Sequence, residues 1–182
     1  MAALPDRKIT VDEFLAWSQA TPGRFELLDG RVYEMQSERA VHARVKFAIQ
    51  TALSRAIERI GLPCEMFPDG MTVRIDTETA FEPDALVTCG PRVGDTDLEV
   101  KSPVIIVEIL SPSTRNIDAA TKFASYFRVP SVMHYLIVNP EHLPMVHHVR
   151  QPDGTILTRI VSSGLLKLDP PGIEIDVETL LK

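Results

Sequence analysis

The 182-residue chain lacks any apolar run approaching the ~20 residues that a membrane-spanning helix needs. Its opening residues, Met1 to Lys8, hold no apolar stretch of the secretory-leader type. A cytoplasmic protein with no membrane partner is the expectation. Cysteine is nearly missing as well: Cys64 and Cys89 are the only two, and they fit no metal-knuckle or redox spacing, so both are expected as reduced, partly buried thiols. There is no internal repeat, no low-complexity segment and no linker long enough to divide two units, so residues 1–182 read as one domain. Positive charge is also short, with 19 Lys+Arg against 25 Asp+Glu and a net charge of −6. That balance excludes a protein whose whole surface grips nucleic acid, because such binding is largely phosphate neutralisation by Lys and Arg. Local basic patches stay open, and an acidic balance is also what a cluster of metal-binding carboxylates contributes to.

What is present is an ordinary globular mixture, 45% apolar and 24% charged, in a chain long enough to bury roughly two thirds of its unfolded surface. Thr10-Val11-Asp12-Glu13 has the form of a capping box and opens a short helix through Trp17, which ends before Pro22-Gly23. Arg24 to Leu28 and Arg31 to Met35 flank Asp29-Gly30, a strong hairpin signal. Between Glu38 and Ile60 there is neither proline nor glycine. Val41, Val45, Ala48, Ala52, Ala56 and Ile60 recur at helical spacing there, and Gly61 stands where a helix stops. Met71 to Ile75 and Pro83 to Thr88 read as strands, and Val104 to Leu110 as a central strand covered on both faces. A helix from about Arg115 to Arg128 follows the Ser111-Pro112-Ser113-Thr114 break, which offers it cap hydroxyls. Val132 to Val138 is another central strand. Pro144 to Val149 and Thr155 to Val161 form a hairpin, and Ile173 to Ile175 precedes a short tail helix. The expected architecture is α+β, a central mixed sheet flanked by helices with an N-terminal and a C-terminal hairpin.

Glu108 carries the chemical argument, because an ionised carboxylate inside an apolar strand costs several kcal/mol unless it is paired or bound to a cation. A strand-end glutamate reaching solvent or a buried Arg is the bland explanation. Asp84 weakens it, being a second carboxylate on a short apolar strand. Two such groups on neighbouring strands can converge on a hard divalent cation, which takes oxygen ligands and keeps waters for chemistry.

The string Pro83-Asp84, then Val107-Glu108-Ile109-Leu110-Ser111-Pro112-Ser113-Thr114-Arg115, then Asp118 and Lys122 ahead of Tyr126, resembles the restriction-endonuclease-like PD-(D/E)XK phosphodiesterases. It is most similar to a bacterial branch of putative restriction endonucleases, in which the lysine comes from the helix after the glutamate strand. Arg24 to Gly30 resembles that branch's Glu-Leu-x-(Asp/Glu)-Gly hairpin, and Tyr135 to Val138 its following strand. The resemblance implies a restriction-endonuclease-like fold and hydrolysis of nucleic-acid phosphodiesters, DNA foremost; a homodimer is expected because cutting both strands of a duplex generally needs two active sites, and the apolar C-terminal stretch could serve its interface. It implies Mg²⁺ or Mn²⁺ held by Asp84, Glu108 and the Ile109 carbonyl, with Lys122 as the catalytic lysine. Glu26, His42, Asp118 and Tyr126 are implied as supporting residues.

One departure matters: the superfamily's Glu-x-Lys would put lysine where this chain has Leu110. Spacing alone also reads Lys122 differently. At ~100° per residue Ile117, Ala120, Ala124 and Phe127 share one helix face, leaving Asp118 and Lys122 as an i, i+4 surface pair. By the same pattern reading, Glu26 is an outward, solvated glutamate and His42 a helix-surface histidine, while His142, His147 and His148 have no zinc spacing. The absent Glu-x-Lys and the net charge favour a rival, a non-catalytic module that keeps the nuclease fold for nucleic-acid binding or dimerisation.

Overall fold

The computed structural model describes residues 4–110, 119–141 and 144–180. Helix α1 (Val11–Gln19) is capped as its sequence requires: Thr10 Oγ1 accepts from the Glu13 N–H, and the Glu13 carboxylate accepts from the Thr10 N–H at 2.9 Å. Strands β1 (Phe25–Leu28) and β2 (Arg31–Glu34) pair antiparallel across Asp29 (φ 49°) and Gly30 (φ 76°). Both turn residues are left-handed, as the twist of a two-residue hairpin demands.

Helix α2 (Ala40–Ile60) ends at Gly61, whose left-handed φ of 64° closes the last turn. Its buried stripe is His42, Val45, Ile49, Leu53, Ala56 and Ile57, so the apolar face is rotated from the periodicity expected above, and Ile60 lies in solvent. Leu53 and Ile49 outweigh alanines at Ala48 and Ala52 because they remove more apolar area from water.

The remaining strands are β3 (Cys64–Pro68), β4 (Val73–Arg74), β5 (Ala80–Phe81), β6 (Ala85–Cys89), β7 (Pro103–Ile109), β8 (His134–Val138), β9 (Met145–Arg150), β10 (Ile156–Val161), β11 (Leu165–Leu168) and β12 (Ile173–Asp176). Helix α3 (Ala119–Tyr126) lies between β7 and β8, and a 3-10 turn at Val177–Thr179 replaces the expected tail helix. Six strands form a mixed sheet in the order β10-β9-β8-β7-β6-β3. Within it β7 runs parallel to β8 and antiparallel to β6, so Val104 to Ile109 sit in its middle. A four-stranded sheet, β2-β1-β5-β4, and the β11-β12 hairpin complete the structure.

One face of the six-stranded sheet packs Ile105, Val107 and Ile109 against the α2 stripe and the β11-β12 hairpin. The other packs Leu86 and Ile106 against Tyr126, Tyr135, Phe81 and Val129. A third cluster joins α1 to the first hairpin through Phe14, Phe25 and Leu27. Strand β7 is thus apolar because both of its faces are covered. Among the described helices none is long and apolar enough to cross a membrane.

The cysteines correct the expectation of free thiols: Cys64 and Cys89 form a disulfide. The β3-β6 register sets them directly opposite one another, with Cα atoms 4.1 Å apart, a relation that spacing along the chain cannot reveal. The bond closes a loop over a separation of 25 residues, for which chain entropy gives about 3 kcal/mol. Reduction, or Cys64→Ser with Cys89→Ser, is therefore expected to lower the melting temperature by several degrees. An unchanged melt would mean that the reduced loop is already held by the sheet.

Candidate metal centre

Asp84 immediately precedes β6, and the register pairs its neighbour Ala85 with Val107, one residue before Glu108. This antiparallel pairing carries both carboxylates to the same end of adjacent strands. Asp84 Oδ2 accepts the Ile109 N–H at 2.8 Å, while Gln50 on α2 donates to the Asp84 carbonyl at 2.8 Å. Glu108 Oε1 accepts from Lys122 Nζ at 3.0 Å and from the Tyr126 hydroxyl at 2.7 Å. Lys122 donates as well to Glu26 Oε1 at 2.7 Å, and that same oxygen takes the Glu82 N–H at 3.2 Å. Among the described residues Glu108 Oε2 makes no hydrogen bond.

Three of the expected placements are overturned here. Glu26, read as outward and solvated, is 5% exposed and faces Lys122. His42, read as a surface residue, is 4% exposed, with Nε2 3.0 Å from the Ile109 carbonyl. Lys122, which the wheel put on the solvent side, is 5% exposed, whereas Ala120 and Ala124 of the supposed inner face lie in solvent. Helix α3 buries Lys122, Ser125 and Tyr126 because two buried carboxylates on β1 and β7 leave an unpaired charge otherwise, and that outweighs the transfer of two alanines. Tyr126 supports Glu108 rather than the lysine itself. Asp118 and the Ser111 to Arg115 string lie outside the described residues, as does His142.

The electrostatics follow from that burial. Asp84 is pushed up to about 6, by its burial and then by the charge of Glu108, against the pull of the Ile109 N–H. Glu26 is raised as well, by burial first and in spite of Lys122. Burial alone would lower Lys122, but Glu108 and Glu26 together hold it above its usual value, so it stays an ammonium. Burial lifts Tyr126 well above the ordinary phenol range, and its hydroxyl keeps its proton. Glu108 and Glu26 therefore share the buried ammonium of Lys122, which leaves that pair one negative charge in excess when both are ionised, and the Asp84 carboxyl beside Glu108 adds to a balance suited to a cation.

Around this cluster runs an outer ring that the motif string does not include. Lys46 bonds Glu38 and, at 2.8 Å, Asp69, and lies 3.8 Å from Asp84 Oδ1. Arg24 contacts Asp69 at 2.7 Å, Glu38 at 3.3 Å and Glu82 at 3.5 Å. Glu38, His42 and Asp84 each offer a ligand atom within 4.8 Å of the others, a grouping able to hold a metal ion. The far histidines form no such group among the described residues: buried His134 and His147 bond each other at 2.9 Å, and His148 pairs with Thr158.

Residues 11–180 match the family model Uma2, "Putative restriction endonuclease". The chain belongs to the Uma2 family. It is 26% identical over 180 residues to the uncharacterized protein slr1290 of Synechocystis sp., covering 98% of this chain and 94% of that protein. It is 25% identical over 168 residues to the uncharacterized protein sll1609 of the same organism, covering 90% and 94%. The crystal structure of "a putative nuclease belonging to DUF820" from Anabaena variabilis superposes with a TM-score of 0.70, at 15% identity, over 95% of this chain and 97% of that one. The restriction-endonuclease-like fold expected from the motif string is thus the fold the chain has, and the family supports a nuclease function.

Proposed function

We propose that this Uma2 chain is a divalent-metal-dependent endonuclease that hydrolyses nucleic-acid phosphodiester bonds, with DNA as the substrate. The observation that carries the reading is the buried ammonium of Lys122 held by Glu108 and Glu26, with Asp84 beside Glu108 at the same end of the adjacent strand. The donor set fits Mg²⁺ or Mn²⁺: carboxylate oxygens of Asp84 and Glu108 and the Ile109 carbonyl, which can accept from His42 and still offer a lone pair. Such a cation, when bound there, supplies a water of lowered pKa and neutralises charge on the phosphate.

The protein's own part lies with Lys122. Fixed by Glu26 and Glu108, and kept protonated by them, it acts as a hydrogen-bond donor and positive charge toward a phosphoryl oxygen rather than as a base. Tyr126 and the Ile109 N–H fix the two carboxylates, so their oxygens need little rearrangement when charge develops. Lys122 from α3 reaches Glu108 although the lysine two residues after it is missing, which supports the catalytic reading over the non-catalytic module. A homodimer, with one active site for each strand of a duplex, is the proposed working unit. Ile160 (73% exposed) and Leu165 (69% exposed) near the C-terminal hairpin are the apolar residues available to it.

The test is cleavage of supercoiled plasmid, single-stranded DNA and RNA by the purified protein with Mg²⁺ or Mn²⁺ and with EDTA. Metal-dependent nicking of DNA, lost in Glu108→Gln, is the expected result. Undiminished cleavage by both Asp84→Asn and Glu108→Gln would sink the assignment.

A further inference from the structure

Glu38 and His42 supply no ligand to the centre just described, yet each offers an atom within 4.8 Å of the Asp84 carboxylate. His42 Nε2 lies 3.0 Å from the Ile109 carbonyl, which can only accept, so Nε2 carries the hydrogen of that contact. In the neutral ring Nδ1 is then a bare lone pair. That atom is buried and makes no hydrogen bond, and Glu38 Oε2 stands 3.3 Å from it. Two acceptors face each other across this gap, an arrangement that is repulsive unless something positive lies between them. Asp84 Oδ2 is 3.6 Å from Nε2 of the same imidazole, and Glu38, His42 and Asp84 each offer a ligand atom within 4.8 Å of the others. The other oxygens of the two carboxylates, Glu38 Oε1 and Asp84 Oδ1, turn instead toward Lys46. An imidazole that gives one N–H to a backbone carbonyl and aims its other nitrogen at a carboxylate is oriented as metal-binding histidines are.

We propose that Glu38, His42 and Asp84 form a second divalent-cation site, with a nitrogen ligand, beside the all-oxygen centre of Asp84 and Glu108. It rests on the proposed nuclease centre only through the shared Asp84. Its nitrogen donor favours Mn²⁺, Co²⁺ or Zn²⁺ over Mg²⁺, which prefers oxygen alone. A carboxylate shared by two cations gives the two-ion geometry that can hold both the attacking and the leaving oxygen of a phosphodiester.

The probe is Mn²⁺ alone, added to the full chain and followed by calorimetry and by pulsed electron paramagnetic resonance, neither of which depends on cleavage. Wild-type protein is expected to bind two Mn²⁺ per chain and to show ¹⁴N coupling from a directly bound imidazole. His42→Gln should lose the coupling and one ion. Glu38→Gln, which keeps the ring should His42→Gln fail to fold, should weaken that ion at least tenfold. Glu108→Gln should retain the coupling while losing the other ion. One Mn²⁺ without nitrogen coupling, lost in Glu108→Gln, overturns this second site and leaves the first standing. Coupling that survives in His42→Gln overturns it too, since another histidine is then the source. Coupling that follows Glu38 and His42 in a protein that cleaves nothing supports the site and removes the nuclease reading.

Discussion

Replacing Lys122 with methionine is expected to reduce DNA cleavage by roughly 10²–10³-fold, the usual loss when one donor to a developing oxyanion is removed. Metal affinity should hold or rise, because the substitution takes a positive charge away from Asp84, Glu108 and Glu26. The same change leaves Glu26 and Glu108 buried without their counter-ion, so the folded state should lose about 3–5 kcal/mol. Thermal melts and cleavage rates then separate in the double variant Lys122→Met with Glu26→Gln. Stability should largely return and turnover should not. A double variant that recovers both would make Lys122 a structural counter-ion with no part in the chemistry.

Asp84→Asn should move activity and stability in opposite directions. Cleavage is lost with the metal ligand, yet the metal-free variant should be the more stable protein at neutral pH. The sign follows from the carboxyl's folded-state value of about 6 against an ordinary 3.8. Because folding raises that value, the group's contribution to stability is fully present below pH ~4 and disappears as the pH climbs through ~6, a loss of about 3 kcal/mol. At pH 8 without metal, the Asp84→Asn substitution should therefore raise the melting temperature by roughly 5–10 °C, and the two proteins should converge near pH 4. Saturating Mn²⁺ should stabilise wild type more at pH 8 than at pH 5, and should stabilise the variant less at both. Equal melting temperatures at every pH would mean that Asp84 carries no unrelieved charge.

The main elements were legible in the sequence because their signals are local. The Thr10 capping box, the Asp29-Gly30 hairpin, the Gly61 stop and the apolar run of β7 each depend on residues close in the chain. Strands β3, β5 and β11 escaped because they are defined by partners elsewhere, β3 by β6, β5 by β1 and β4, β11 by β12. The site divides along the same line. Glu108 and Asp84 stand out as charges in apolar strands, but the burial of Lys122 and Glu26 is a fact about each other, 96 residues apart, and their own helix and strand patterns point the wrong way. A readable signal was present in Glu38, His42 and Lys46, spaced four apart and so on one side of a helix entry, all three gathered at Asp84.

The entry of the lysine on α3, rather than on the strand that bears Glu108, splits the centre into two inheritable halves. On the proposed reading, strands β6 and β7 with helix α2 carry the ligands, whereas helix α3 carries the reagent. Changes in the crossover can silence or retune turnover without disturbing ion capture, so descendants of this architecture can drift into metal-loaded binders by altering one helix. Under the proposed nuclease function, position 110, relieved of the lysine and exposed as Leu110, is free to vary with whatever strand of nucleic acid passes the mouth of the site.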